Sequence, residues 1–465
     1  MRQAGVLLHV TALPGPQQCG SFGQEAHDWI SLLGRHGIKV WQVLPLAPVD
    51  GTGSPYSSPS GSALNPALLD RGRLASEGGS LHTEADQRDF ARWQRRQRHW
   101  LQDHCRFVVL KQLHAGAAWW QWPRELAQRR RRALHQLDQQ QAGALHNEAM
   151  LQWQLQRQWQ ALRRHASANG VQIVGDLPFY VAHDSADVWS HPALFSVTAG
   201  GRLLQQSGVP PDYFSHTGQL WGTPVYRWHH HWLTGFDWWI ARLLRQLELY
   251  DLLRLDHFRA LQAFWCVPGE APTAEKGLWR LSPGWPLLGL LWQACLRRGL
   301  LLQGGRLPLI AEDLGVMTRG VEWLRDGFRL PGMKILQFAF DGEADNPYLP
   351  ANFKGRHWVV YTGTHDNATT LGWWNQLDGE SRQRIEQTLG CAVTAPGWQL
   401  SELALNSSAD LAVVPLQDLL ELGDEARFNT PGTASGNWSW RLHQPITSLE
   451  GPIKGYGELA ARGRR

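Results

Sequence analysis

Three acidic residues each follow an apolar run, where hydrophobic patterning gives no reason for a charge. They are Asp256 in RLDHFR, Glu312 in IAEDLG and Asp366 in THDN. A carboxylate at the end of a buried strand usually belongs to an ion pair or to a functional site. One such residue is most simply an ion pair or a helix cap, but three at separate strand ends favour a site. Paired carboxylates are what glycosidic cleavage requires.

The neighbours of these acids indicate different protonation states. Arg254 lies two residues before Asp256, so both side chains point to the same side of a strand. A guanidinium favours the ionised carboxylate that a nucleophile needs. Glu312 can donate a proton near neutral pH only if burial or nearby carboxylates raise its pKa. Asp313 competes for this role, but adjacent strand residues face opposite ways, so only one of the two should reach the pocket.

Three aromatic residues outside the predicted strands and helices fit the binding of a sugar. Tyr56 lies in the loop GTGSPYSSPSGSALNP, Trp221 in the loop QLWGTPVY, and Trp279 in the loop after the fourth predicted strand. Aromatic rings can cover the apolar faces of a sugar, and packing does not obviously require them in loops. Most of the 26 tryptophans are instead expected to pack in the core or in insertions.

The elements that must position these residues are eight short apolar runs that alternate with amphipathic segments. The predicted strands are Gly5–Val10, Lys39–Leu44, Val171–Val174, Asp251–Phe258, Leu307–Leu314, Met333–Phe340, Trp358–Thr364 and Leu411–Leu416. Apolar strands that alternate with helices predict a parallel sheet covered on both faces. Eight such units predict an α/β fold, the (β/α)8 TIM barrel, whose catalytic groups project from the carboxyl ends of strands. The three acids lie near the carboxyl ends of predicted strands four, five and seven.

The uneven spacing of these strands predicts one catalytic barrel, residues 1–465, with inserted subdomains after strands two, three and four. Residues 51–170 and 182–235 are the two long insertions, because each exceeds a simple crossover. The stretch 71–165 is rich in Gln, Arg and Trp and is predicted to form a solvated helical hairpin with tryptophans on its inner face. The alternative is a basic patch that stacks nucleic-acid bases, which the rest of the sequence does not support.

Composition indicates the setting in which the protein works. The 45 basic and 41 acidic residues give a net charge of +4, which does not indicate nucleic acid or an anionic membrane as a partner. No run approaches the roughly 18 apolar residues of a membrane span, and the N-terminal apolar run is too short for an export signal. Five separated cysteines without a CxxC pair indicate free thiols in a reducing compartment, so we expect a cytoplasmic protein.

Ten segments spread over nearly the whole chain carry a resemblance to a known family. They are LLHVTALP (7–14), WQVLPLAP (41–48), SPYSSPSGSALNPALLD (54–70), GDLPFYVAHDSADVW (175–189), GVPPDYFSHTGQLWGTPVYRW (208–228), RLDHFRA (254–260), AEDLGV (311–316), LPGMKILQFAF (330–340), YTGTHDN (361–367) and FNTPGTASGNWSWRL (428–442). In these segments the chain resembles the 4-α-glucanotransferases of the amylomaltase or disproportionating-enzyme family, glycoside hydrolase family 77. It departs from the family pattern at Ala260, Thr223 and Phe428, none of which is one of the three acids.

The resemblance implies a role for each acid. Asp256 would be the nucleophile, Glu312 the general acid and base, and Asp366 the residue that binds ring hydroxyls and stabilises an oxocarbenium-like state. The predicted substrate-binding residues are Tyr56, Asp176, Gln219, Trp221, Arg254, His257, Trp279, His365 and Asn429. The family needs neither a metal nor another cofactor.

The sequence therefore predicts a transferase that moves α-1,4-glucan segments between malto-oligosaccharides with retention of configuration. We expect a monomer or weak dimer whose partners are glucans, with neither nucleic acid nor membrane among them. The loop 51–70 and the segment 268–286 are predicted to shield the cleft from water. Two alternatives stay open from the residues alone. One is an α-glucan hydrolase with the same acids, and the other is a glucan-binding protein without catalytic activity.

Overall fold

A parallel sheet lies at the centre of the molecule. The computed structural model describes residues 2–76, 83–211, 216–315, 317–433 and 435–462. The strands in these ranges are β1 (Gln3–Leu7), β2 (Val40–Gln42), β3 (Gln172–Leu177), β4 (Gln205–Val209), β5 (Gln219–Pro224), β6 (Leu252–Leu255), β7 (Ala263–Pro268), β8 (Leu278–Leu281), β9 (Leu309–Ala311), β10 (Gly332–Ile335), β11 (Trp358–Tyr361) and β12 (Leu411–Pro415).

Helices cover the outside of this sheet and fill the long connections. They are α1 (Gln24–Arg35), α2 (Arg71–Ser76), α3 (Glu84–Leu113), α4 (Arg124–Ala127), α5 (Arg131–Gln140), α6 (Ala142–Ala168), α7 (Ala186–Ser190), α8 (Trp228–Leu233), α9 (Asp237–Leu247), α10 (Gly284–Arg298), α11 (Arg319–Gly327), α12 (Thr370–Gln376), α13 (Gly379–Leu389), α14 (Pro396–Asn406), α15 (Leu416–Leu419) and α16 (Glu450–Arg462).

Eight strands form the central sheet in the order β10-β11-β12-β1-β2-β3-β6-β9, with every neighbouring pair parallel. The two outer strands of this order meet where the Ala311 N–H donates to the Pro331 carbonyl at 2.9 Å, so the sheet is a nearly closed barrel. Each of the eight predicted strands overlaps one of these strands, which confirms the predicted α/β barrel.

Residue alternation along the strands explains why the barrel has two separate cores. Leu7, Val40, Val174, Ile310 and Met333 belong to one buried cluster built from alternate positions of the strands. The residues between them join the large core beneath the helices. Because successive side chains on a strand point to opposite faces, runs of consecutive apolar residues bury both faces of the sheet.

The helices between β2 and β3 pack their tryptophans inward, as the sequence predicts. Trp93 and Trp100 of α3 and Trp153 of α6 share a small core and are at most 8% exposed. The Arg157 guanidinium lies 4.7 Å from the Trp153 ring centre and pairs with Asp86 at 2.9 Å. Arg157 therefore covers one side of the Trp153 ring.

Two glutamines of α6 hold the chain that follows Tyr56. The Gln152 amide accepts from the Leu64 N–H at 2.9 Å and donates to the Leu64 carbonyl at 3.0 Å. Gln158 makes the same pair of bonds with the Asp70 backbone, both at 2.9 Å. Each side-chain amide therefore pairs with the backbone as a neighbouring strand would.

A second, antiparallel sheet has the strand order β5-β4-β7-β8 and follows the third and fourth barrel strands. It corrects two expectations, because Trp221 lies in β5 and Trp279 in β8, whereas the sequence places both in loops. Both strands are sheet edges, and all four residues of β8 are exposed. An exposed edge strand carries no apolar alternation, so its residues resemble a loop.

The division of this fold into inserted subdomains stays a prediction. The proposed insertions, 51–170 and 182–235, include residues 77–82 and 212–215, which lie outside the described residues. Among the described helices, none combines the length and the apolar character that crossing a lipid bilayer would require.

Candidate active site

Arg254 joins two carboxylates at the end of β6. The parallel register places Asp176 of β3 opposite Arg254, and Arg254 Nη1 donates to the two Asp176 oxygens at 2.9 and 2.8 Å. The same nitrogen donates to Asp256 Oδ1 at 3.0 Å. Asp176 and Arg254 are buried, whereas 30% of the Asp256 side chain is exposed. Burial disfavours the cation, but the two carboxylates outweigh it and keep the pKa of Arg254 above its usual value.

Glu312 lies just after β9 in a different environment. The His257 N–H donates to Glu312 Oε2 at 2.7 Å, and the Leu314 N–H donates to Oε1 at 3.0 Å. Desolvation raises the pKa of Glu312 to about 7, with Arg254 opposing and Asp256 adding to the shift. A carboxyl group with this pKa is protonated in part at neutral pH and can act as a general acid.

Asp313 binds different partners from Glu312, as the sequence predicts for one of the two adjacent acids, although both lie just after β9 rather than in it. Its carboxylate accepts from Arg325 Nη1 at 2.5 Å and from the Met333 N–H at 2.7 Å. The side chain is almost completely buried in this ion pair. Of the two adjacent acids, Glu312 is close enough to Asp256 for that carboxylate to raise its pKa, whereas Asp313 joins α11 to β10.

Asp366 lies in the turn after β11 between two polar partners. Its Oδ2 is 3.2 Å from His365 Nε2, and its Oδ1 accepts from Asn429 Nδ2 at 2.6 Å. Burial alone would raise the pKa of Asp366, but His365 and Asn429 hold it well below its usual range. Burial likewise opposes protonation of His365, and Asp366 reverses that effect and raises the histidine pKa. Asp366 is therefore ionised across the neutral range.

Tyr56 connects the two halves of the site. Its hydroxyl donates to Asp176 Oδ2 at 2.8 Å, and its ring stacks on His365 at 5.0 Å with an interplanar angle of 13°. Burial and the neighbouring Asp176 carboxylate raise the pKa of Tyr56 well above its usual value, so the hydroxyl remains a donor. The predicted residues from β3, β6 and β11 thus form one connected cluster.

Trp221 and Gln219 lie beside the Glu312 end of this cluster. The Trp221 ring meets the His257 ring edge-on at 4.9 Å and is 37% exposed. Its indole N–H donates to Gln219 Oε1 at 3.4 Å. Trp279 is held by a residue outside this cluster, because its ring centre lies 4.0 Å from the Arg259 guanidinium.

Two aromatic residues near the site were not predicted from the sequence. Tyr180 lies 6.0 Å from Trp221, ring centre to ring centre, and follows β3 at the carboxyl end of the barrel. Trp438 lies 5.7 Å from Tyr56 and 6.0 Å from His365. The position of Tyr180 after a barrel strand was a usable signal, and Trp438 lies inside a segment that carries the family resemblance.

The part of the chain that the structure describes contains no group of three or more His, Cys, Asp or Glu side chains arranged to hold a metal ion. The chemistry available from the described side chains is that of carboxylates in unlike environments. Asp256 is held by a guanidinium, and Glu312 is held as an acid of raised pKa. This is the arrangement by which two carboxyl groups divide nucleophilic and acid–base work on a glycosidic bond.

Comparison with known proteins agrees with this geometry. A family model described as 4-alpha-glucanotransferase matches residues 8–84 and 73–447. The chain belongs to the 4-alpha-glucanotransferase family. The 4-alpha-glucanotransferase of Thermus thermophilus is 42% identical over 95% of both chains, and that of Synechocystis is 41% identical over 95% of this chain and 94% of its own.

Solved structures of this family share the fold. The amylomaltase from Streptococcus agalactiae in complex with acarbose is 30% identical, with a TM-score of 0.93 and full coverage of both chains. The amylomaltase from Corynebacterium glutamicum covers 99% of this chain and 75% of its own, with a TM-score of 0.77 at 16% identity, and shows the fold alone. The predicted family, the barrel and the class of enzyme, a transferase of α-glucan segments, are confirmed.

Proposed function

We propose that this 4-alpha-glucanotransferase works by a retaining double displacement, with Asp256 as nucleophile and Glu312 as acid and base. Malto-oligosaccharides and longer α-1,4-glucans are the proposed donors and acceptors. The observation that carries the proposal is the contrast between the two carboxyl groups. A guanidinium 3.0 Å away holds Asp256, while desolvation brings the pKa of Glu312 to about 7.

In the first step, an Asp256 oxygen attacks the anomeric carbon of the donor as the bond to the leaving oxygen breaks. Glu312 gives its proton to that oxygen, and the shortened glucan leaves as an alcohol. The glycosyl unit is now an ester of Asp256, with inverted configuration. Arg254 donates to Asp176 as well as to Asp256 Oδ1, so its guanidinium keeps a hydrogen-bond partner when Asp256 becomes an ester.

In the second step, ionised Glu312 takes the proton of an acceptor 4-hydroxyl as that oxygen attacks the anomeric carbon. The ester bond breaks, Asp256 recovers its charge, and a second inversion restores the original configuration. The two carboxyl groups are expected to lie about 5–5.5 Å apart in the substrate complex, as retaining enzymes require.

Asp366 is proposed to bind sugar hydroxyls and to stabilise positive charge that develops on the ring. Its low pKa supports this role, because an ionised carboxylate is available throughout the working range. Tyr56 and Trp221 are proposed to contact the sugar faces. The other proposed substrate-binding residues are Asp176, Gln219, Arg254, His257, Trp279, His365 and Asn429. His257 serves Glu312 through its backbone N–H.

We also propose a compartment and an oligomeric state for this enzyme. The five cysteines are free thiols, which supports a reducing compartment such as the cytoplasm. We propose a monomer or weak dimer that acts on glucans. We also propose that residues 51–170 and 182–235 are subdomains inserted in a single catalytic barrel of residues 1–465, with the 51–70 loop shielding the cleft.

The test is incubation of the purified protein with maltotriose, followed by separation of products by chain length and an assay of total reducing ends. A ladder of longer glucans plus glucose, with constant reducing ends, is expected. Asp256→Asn should abolish it, whereas Asp326→Asn, a change at an exposed acid of α11, should leave it unchanged. Rising reducing ends without longer products would identify a hydrolase instead, and no product from maltotriose or amylose would refute the proposal.

A further inference from the structure

Trp438 has a backbone conformation that a bulky residue rarely adopts. Its φ is +63°, in the left-handed region that favours glycine. Its N–H donates to the Phe428 carbonyl at 2.6 Å, which closes the loop between the two residues. Such conformations persist only where surrounding contacts determine them, and they cluster at active sites. The contacts of the Trp438 ring should therefore show what holds this backbone conformation in place.

The ring of Trp438 packs against a pair that the catalytic cluster depends on. Its centre lies 5.7 Å from Tyr56 and 6.0 Å from His365, with tilts of 38° to both. Those two rings stack on each other at 5.0 Å, so the three aromatic groups form one packed unit. Trp438 also packs on the apolar cluster inside the barrel, and this anchors the unit to the sheet.

Each partner of Trp438 holds a carboxylate of the site. The Tyr56 hydroxyl donates to Asp176 at 2.8 Å, and His365 pairs with Asp366 at 3.2 Å. Displacement of either ring would change the position of the acid that it holds. The same loop already contacts Asp366 through Asn429 at 2.6 Å, so Trp438 and Asn429 hold Asp366 from one loop by two routes.

We propose that Trp438 is a positioning residue for the transfer reaction. It keeps Tyr56 and His365 stacked, and through them it sets the positions of Asp176 and Asp366. This inference rests on the proposed function of those residues. A misplacement of about 1 Å at a reacting group can cost about a hundredfold in rate. Loss of the ring should therefore slow turnover far more than it weakens donor binding.

The experiment compares Trp438→Ala with Trp438→Phe and with the matched control Trp440→Ala. Trp440 lies in the same segment but packs on Phe428 at 5.5 Å. We expect Trp438→Ala to lower kcat of transfer between malto-oligosaccharides about 10- to 100-fold, with KM changed less than about threefold. Trp438→Phe should recover most of the rate, and Trp440→Ala should stay within about threefold of the parent.

A double-mutant cycle separates positioning from a general loss of loop structure. If Trp438 acts through Tyr56, most of the effect of Trp438→Ala should vanish in a Tyr56→Ala background, because interacting residues are not additive. Additive losses, an unchanged kcat, or an equal loss in Trp440→Ala would overturn the inference. If Trp438→Ala does not fold, Trp438→Leu takes its place. A parent protein without transfer activity would refute the proposed function instead, and the inference with it.

Discussion

Raising the pH from 6 to 8 should slow donor cleavage about tenfold, because Glu312 loses the proton that the leaving sugar needs. Desolvation raises the pKa of Glu312 from 4.5 to about 7. With that pKa, about nine tenths of the enzyme carries the proton at pH 6 and about one tenth at pH 8. An unperturbed glutamic acid would already have lost its proton below pH 6, so the position of the decline reports the environment of this side chain.

The assay is kcat/KM for glucose release from maltotriose between pH 5.5 and 8.5, since this parameter reports ionisations of the free enzyme. The control uses α-maltosyl fluoride as donor, because fluoride leaves as an anion and needs no proton from Glu312. The decline near pH 7 should disappear with the fluoride. A second control, Glu312→Gln, should be nearly inactive on maltotriose but should form the glycosyl ester from the fluoride.

Two results would refute the reasoning about Glu312. A decline of the same size with both donors would mean that the titrating group is not the acid that protonates the leaving oxygen. A constant kcat/KM from pH 6 to 8.5 with maltotriose would mean that Glu312 does not have the raised pKa that its surroundings imply.

Three further outcomes follow from buried charges. Arg254→Met should lower the free energy of unfolding by about 3–5 kcal/mol, measured by urea unfolding, because it removes the guanidinium that pairs with buried Asp176. A loss below about 1 kcal/mol would contradict this. Asp313→Asn should reduce stability because it removes the buried carboxylate that pairs with Arg325, while kcat of the folded enzyme stays within about threefold. A loss of most of kcat would instead indicate that Asp313, and not Glu312, acts in the reaction. Glu312→Gln should stabilise the protein by about 1–3 kcal/mol at pH 8 but not at pH 4. The pKa of Glu312 is higher in the folded state, about 7 against 4.5, so the stability of the parent falls as pH rises through that window. Equal melting temperatures of parent and variant at pH 8 would count against this prediction.

The grouping of Asp256, Glu312 and Asp366 could be predicted from the sequence because strand geometry leaves little freedom. Each acid follows an apolar run, and the carboxyl ends of parallel strands meet at one end of a barrel. The alternation of side chains along an extended chain also predicts that only one of Glu312 and Asp313 reaches the pocket. In the structure Asp313 pairs with Arg325 instead. The local sequence pattern was sufficient to locate these acids, because the place of each one is set by the strand that it follows.

The rest of the site depends on contacts between distant segments, which local pattern does not show. Asn429 was found only through the family resemblance, since nothing in its own neighbourhood marks a partner of Asp366, 63 residues earlier in the chain. The edge strands that carry Trp221 and Trp279 were assigned to loops because they are exposed and lack alternation. The predicted fourth strand, Asp251–Phe258, is also too long, because β6 ends at Leu255. A turn follows, in which the His257 N–H donates to Glu312.

The paired glutamines of α6 restrict how this protein can change in length. Gln152 and Gln158 are six positions apart, and so are their backbone partners Leu64 and Asp70. A codon inserted or deleted between either pair would shift one partner against the other, and both amide pairs could not form together. Surface connections usually tolerate such events. Here the stretch after Tyr56 is expected to accept substitutions much more readily than insertions or deletions, in natural variants and in laboratory libraries alike.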